Sequence, residues 1–126
     1  MTRRSLTAPL LLLVALTAST ASAQTFSVAK YNIGGEGGTD YVTAETGTGR
    51  VFVSRSTHVM VVDGKTGKVL GDIPNTPRMH GVGIAPKWNH GFTTNGGDST
   101  VTMFDLKTLA VIKQIKIKVE IGRAHV

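Results

Sequence analysis

His58, His80 and His90 are the side chains of this sequence best suited to hold a metal or to move a proton near neutral pH. A zinc-type site needs several such ligands at short regular spacing, and none of the three has another ligand residue two or four positions away. Each therefore reads as a solvated or turn-bonded imidazole, and no metal or other cofactor is expected. Gly64-Lys65-Thr66 matches the end of a phosphate-binding loop, but that motif needs a glycine where Val59 stands and a helix after it. Gly34-Gly35-Glu36-Gly37-Gly38 fails as a dinucleotide fingerprint, because counting from Gly35 and Gly37 the third glycine would fall at Asp40. Both read as a turn or loop. No hydroxyl is spaced with a base and an orienting acid, and no carboxylate pair is spaced for acid–base work, so no catalytic residue is assigned.

The elements that must carry any site lie between two ends of different character. Arg3 and Arg4, the apolar run 8–16 and the small residues Ala21-Ser22-Ala23 form a secretory signal over residues 1–23, cut before Gln24. The run is shorter than the ~20 apolar residues of a membrane span, so no transmembrane anchor is expected after cleavage and the location is periplasmic or secreted. Thr2-Arg3-Arg4-Ser5-Leu6 partly matches a twin-arginine signal, although the general secretory route is expected. Residues 120–126, Glu-Ile-Gly-Arg-Ala-His-Val, back-translate to a common short-read sequencing adapter. They are set aside as read-through, and the open frame is expected to continue past Val119.

Residues 24–119 hold 11 Lys and Arg against 7 Asp and Glu, a charge of +4. The basic residues are scattered, and only Lys113, Lys116 and Lys118 cluster loosely, which suits a solvated edge strand better than a phosphate-binding groove. Nucleic acid is therefore not the expected partner. The absence of cysteine excludes a disulfide framework and a cysteine-ligated zinc module.

Over the same segment Val and Ile number 18 and Leu only 3, which favours strands over helices. The segment also repeats itself. Asp63, Thr66 and Ile73 recur 42 residues on as Asp105, Thr108 and Ile115, and Phe52-Val53-Ser54 recurs 40 residues on as Phe92-Thr93-Thr94. A period near 40–45 residues with four strands per unit is that of propeller blades. The expected fold is all-β: a partial β-propeller of two four-stranded antiparallel blades, residues 39–76 and 77–119, plus one outer, ring-closing strand within 24–38. The strands are placed at 40–45, 50–54, 58–63 and 69–73, then 81–85, 90–94, 100–105 and 110–116, with the outer strand at 26–33. Asp63 and Asp105 are expected to accept turn N–H groups, with Thr66 and Thr108 assisting.

His80-Gly81-Val82-Gly83-Ile84-Ala85-Pro86, Gly91-Phe92-Thr93-Thr94-Asn95 and Ser99-Thr100-Val101-Thr102-Met103-Phe104-Asp105 together resemble the YVTN-type β-propeller repeats of bacterial exported proteins. Phe92-Thr93-Thr94-Asn95 stands where that family has Tyr-Val-Thr-Asn, and the first blade departs further with Phe52-Val53-Ser54-Arg55. The resemblance covers residues 33–117 and implies a seven-bladed monomeric ring, of which this chain would be an N-terminal fragment.

In such a ring the connections between blades and those between the second and third strands share one side of the disc. That places Glu36, Asp40, Arg78 and His80 with Arg55, Asn95 and Asp98 on a mixed-charge loop face, the candidate binding surface. Trp88 is expected on the other side, covering a blade edge. The expected function is a binding scaffold for a small molecule, an envelope component or another protein. The alternative is a fragment of a propeller enzyme or cofactor-bearing domain, lactonase-like or haem-carrying. Two blades alone are expected to be poorly cooperative, because their outer apolar faces lack neighbours.

Overall fold

Short runs of branched residues, each closed by a Gly, Asn or Asp turn, favour antiparallel strands joined by tight connections. The computed structural model, which describes residues 23–117, forms eight such strands. β1 (Val42–Ala44), β2 (Arg50–Ser54), β3 (Val59–Asp63) and β4 (Val69–Ile73) make one four-stranded antiparallel sheet in sequence order. β5 (Met79–Ala85), β6 (His90–Asn95), β7 (Thr100–Asp105) and β8 (Val111–Lys116) make a second of the same order. A single 3-10 turn, Pro86–Trp88, joins β5 to β6. The repeat extends to irregularities: the ladder shifts between Val61 and Val62 in the first sheet and between Met103 and Phe104 in the second.

The repeated hairpins are built as the sequence indicates. Asp63 Oδ1 accepts the N–H groups of Lys65 at 2.9 Å and Thr66 at 2.8 Å and the Thr66 hydroxyl at 3.0 Å. Asp105 Oδ1 accepts those of Lys107 and Thr108, both at 2.8 Å. Each turn then needs a left-handed residue, supplied by Gly67 at φ +70° in the first and by Leu109 at φ +62° in the second. The Thr66 hydroxyl, followed by the backbone N–H bonds, holds Asp63 below the ordinary carboxylate pKa. The Thr108 N–H leads the same effect at Asp105, opposed in part by desolvation. Both folded pKa values are depressed, so this stabilisation is complete above the ordinary carboxylate range, about pH 4, and is lost as pH falls through the folded values. Urea unfolding followed from pH 6 to pH 2 should show an acid limb that is shallower in the Asp63→Asn/Asp105→Asn variant.

The two sheets pack face to face. Phe52, Val59, Val61 and Ile73 of the first meet Met79, Phe104 and Leu106 of the second, with Val82, Ile84 and Leu109 at the margin. Phe52 and Phe104 stand 5.9 Å apart between ring centres. Beside them Thr93, Asn95, Thr100 and Thr102 form a buried polar layer on the inner face of the second sheet. Asn95 accepts from the Thr93 hydroxyl at 2.7 Å and donates to those of Thr100 at 2.9 Å and Thr102 at 2.8 Å. Thr76 is also fully buried, and its hydroxyl has no hydrogen-bond partner among the described residues. Its N–H donates to the Thr57 carbonyl and its carbonyl accepts from Met79, so the backbone is satisfied and only the hydroxyl is stranded. Thr76→Val keeps the shape and removes that atom, and should raise unfolding stability by about 1 kcal/mol in urea titration.

The expected outer strand at 26–33 does not form. Residues 24–41 carry no regular structure, and Phe26 and Val28 are exposed. A strand requires a hydrogen-bonded neighbour, and this segment instead crosses the face of the first sheet that points away from the second. Ile33 packs there on Val53, Met60 and Val62, and the Tyr31 hydroxyl donates to the Lys65 carbonyl at 2.5 Å. Trp88 does not cover a sheet edge: it is 65% exposed, with the Lys87 ammonium 5.4 Å from its ring centre. The expected signal at 1–23, Ala23 aside, and the set-aside segment 120–126 lie outside the described residues. Among the described residues no helix is long and apolar enough to cross a membrane.

Candidate functional site

Asp40 and His80 occupy equivalent positions of the two repeats, 40 residues apart, each just before or within the first strand of its sheet. Face-to-face packing brings β1 beside β5 and joins these positions: His80 Nδ1 lies 2.6 Å from Asp40 Oδ2. A carboxylate can only accept, so the contact requires the proton on Nδ1 and leaves Nε2 pointing away from the pair. Nε2 faces the β6–β7 turn at Gly96, where an added Cβ would lie 3.4 Å from it. Both side chains are about half exposed, at 56% and 51%, so the pair orients the ring more than it stabilises the fold.

The pair sits in an open cleft of about 260 Å³ lined by Gly38, Thr39, Asp40, Ser56, Arg78, Met79 and His80. Two of these residues hold left-handed backbone: Ser56 at φ +65° and Arg78 at φ +47°. Such conformations cost non-glycine residues about 1–2 kcal/mol and are found where surrounding contacts fix them. Here the Arg78 carbonyl accepts from Gly96 N at 3.1 Å, and the Ser56 hydroxyl donates to the Gly38 carbonyl at 3.3 Å. A larger groove of about 620 Å³ lies beside β4 and β8, lined by Asp72, Pro74, Asn75 and the run from Thr108 to Gln114. It contains none of the candidate binding residues.

Of the seven residues expected on one binding face, the structure gathers Asp40, Arg78 and His80. Arg55 is committed to backbone: its guanidinium donates to the carbonyls of Gly34 at 3.2 Å, Gly35 at 2.6 Å and Glu36 at 3.1 Å. Glu36 contributes that carbonyl and leaves its carboxylate in solvent. Gly37, at φ +89°, lets this loop lie against Arg55, whose carbonyl a Cβ would strike. Asn95 is a correction. It is 3% exposed and bonded to three threonine hydroxyls, so it is a core residue and not a surface ligand. Asp98 accepts from the Thr100 hydroxyl at 2.7 Å and lines a separate hollow with Thr57, Asn75, Pro77 and Gln114. Ser56 and Thr39 line the cleft unanticipated; only their proximity to Arg55 and Asp40 in sequence could have indicated them.

His58 contacts the Thr57 hydroxyl at 3.1 Å and Asp72 at 3.6 Å, and His90 lies edge-on to Phe92. Among the described residues no three His, Asp or Glu side chains converge as a metal site would require.

No family model matches the chain, and no curated protein does. Among solved structures it is similar to Kuenenia stuttgartiensis hydrazine synthase, with a TM-score of 0.60 and 20% identity over 74% of this chain. The match spans 27% of that chain. At this identity the likeness concerns the fold alone.

Proposed function

We propose that the chain carries two successive blades of an exported β-propeller of the YVTN type and serves as a binding scaffold. Its binding site is the cleft where the two sheets meet. Sequential four-stranded meanders, a 40–42-residue period and face-to-face packing support the blade reading. The 1–23 segment supports export, and an N-terminus at Gln24 in protein recovered from the periplasm or medium would test it.

The Asp40–His80 contact is the observation that carries the binding reading, because it fixes one imidazole nitrogen at the rim of a cleft that also holds Arg78. An oriented imidazole beside a guanidinium suits a small ligand bearing a carboxylate or phosphate with neighbouring hydroxyls. Ligand-observed NMR with citrate, inorganic phosphate and glucose 6-phosphate would test it. At least one should bind, and His80→Ala and Arg78→Ala should each weaken it about tenfold or more, the ~1.4 kcal/mol of one lost charge-assisted bond. Lys113→Ala should leave binding unchanged. Binding insensitive to both cleft variants, or no binding by any of the three, would overturn the cleft as the site.

A further inference from the structure

The hairpin connections of both sheets gather at one end of the strands. In the first sheet Gly64 N donates to the Gly49 carbonyl at 2.9 Å, and in the second Leu106 N donates to that of Asn89 at 3.0 Å. Arg50 Nη1, on the Leu106 carbonyl at 2.5 Å, holds the two sheets level. Turns 45–49, 64–68, 86–89 and 106–110 therefore share one side, opposite the end that carries Asp40 and His80. In a propeller a blade packs on the face of its neighbour and leaves the strand ends free, so further blades would extend this side without covering it.

Lys65, Lys68, Lys87 and Lys107 stand exposed on these turns, although the basic residues are scattered in the sequence. Lys65 and Lys107 are equivalent in the two repeats, and each gives its N–H to the hairpin aspartate while its side chain stays in solvent. The carboxylates of this end are held inward. Glu45 is buried against Arg50, Asp63 and Asp105 each turn an oxygen into their hairpins, and the other Asp105 oxygen accepts from Asn89 Nδ2 at 2.6 Å. The four-carbon lysine stems carry their charges past these shorter, tethered groups. Beside them stands Trp88, 65% exposed, with the Lys87 ammonium 5.4 Å from its ring centre. Its turn is pinned: Asn89, left-handed at φ +56°, donates its N–H to the Pro86 carbonyl and is bonded on to Asp105 and Leu106.

We propose that this end of the strands docks on an anionic lipid surface, with Trp88 entering the headgroup layer and the four lysines meeting lipid phosphates. An indole on a membrane surface settles at headgroup level, and lysines beside it add electrostatic attraction. None of the four lysines lines a cleft described above, and a plane of headgroups needs none, whereas a nucleic acid or a small anion is gripped in a groove or pocket. Docking this way leaves the Asp40–His80 cleft, at the far end of the strands, open to solvent.

Trp88 is the single tryptophan of the chain, so its emission reports on this turn alone. The test titrates the exported chain, beginning at Gln24, with vesicles of phosphatidylcholine carrying about one-third phosphatidylglycerol, and with neutral phosphatidylcholine vesicles. The anionic vesicles should shift the emission to the blue, brominated lipid should quench it, and about 0.5 M salt should release the chain. Neutral vesicles should do neither. In co-sedimentation Lys65→Gln with Lys107→Gln should weaken binding about 25-fold, fivefold for each lysine, and Trp88→Ser should weaken it several-fold. Lys113→Gln with Lys116→Gln removes the same charge from β8 and should leave binding unchanged. Binding through a misfolded chain would persist on neutral vesicles and in the Lys65/Lys107 variant. Equal binding to both kinds of vesicle, binding to neither, equal losses in the two lysine variants, or a preference for heparin over anionic vesicles would each overturn the proposal.

Discussion

Phe104→Ala is expected to destabilise the chain by about 3–5 kcal/mol, a large part of what a small domain possesses. Phe104 is fully buried and is the large apolar residue that β7 turns toward the first sheet; its neighbours on that side, Thr100 and Thr102, are spent on Asn95. The void it would leave has stiff walls. Opposite it on β6 stands Gly91, where an added Cβ would overlap the Phe104 ring, and across the interface stands Phe52. Repeat one solves the same position with Val51 opposite Val62, so volume there is shared between the paired residues. A sign reversal follows. Gly91→Ala should destabilise the wild type by about 1–3 kcal/mol through overpacking, yet restore stability in the Phe104→Ala background, where its methyl enters the void. Urea unfolding of the four proteins completes the cycle; additive effects would show that Gly91 and Phe104 do not share that space.

What could be read in the sequence was what neighbouring residues decide. β2, β4 and β7 fall where branched runs and turn residues place them, and the Asp63 and Asp105 hairpins follow from Asp and Thr three positions apart. The outer strand at 26–33 is absent because a ring-closing strand pairs with a last blade, which is not among the described residues, and a strand needs a hydrogen-bonded neighbour. Asn95 was misread because ending the strand at residue 94 leaves Asn95 in the connection to the next strand, whereas β6 runs through it. Yet Thr93, Asn95, Thr100 and Thr102 alternate on two paired strands, and that period-two pattern of small polar residues marks a shared inner face. The cleft was partly legible. Repeat arithmetic places Asp40 and His80 at equivalent positions, but only the packing of the sheets shows that such positions touch.

Arg50→Met is expected to cost about 3 kcal/mol at neutral pH, because it leaves a nearly buried carboxylate without its counter-charge. Arg50 Nε lies 2.6 Å from Glu45 Oε2, Nη1 donates to the Leu106 carbonyl at 2.5 Å, and the guanidinium stands 5.5 Å from the Phe52 ring centre. One side chain thus joins the first sheet to the β7–β8 turn, with 19% of it exposed and 5% of Glu45. The hydrogen bond from Arg50 is what chiefly holds the Glu45 pKa below its ordinary value, against a burial effect that would raise it. The two proteins should therefore respond to acid in opposite directions. In the wild type the pair's contribution is complete above the ordinary glutamate pKa and is lost as pH falls through the depressed folded value. In Arg50→Met burial is opposed only by the smaller effect of the Thr48 hydroxyl, which donates to the same carboxylate, and it raises the folded pKa above the unfolded one. Protonation of Glu45 then favours the folded state, and the cost of the substitution should shrink as pH falls from 7 to 4 and grow again as pH rises. Glu45→Gln, which keeps an acceptor for Arg50 and removes the charge, should show neither limb. Arg50→Met paired with Glu45→Gln should recover much of the loss at pH 7, and a double variant no more stable than Arg50→Met alone would show that the cost lies in the Leu106 carbonyl and the Phe52 ring.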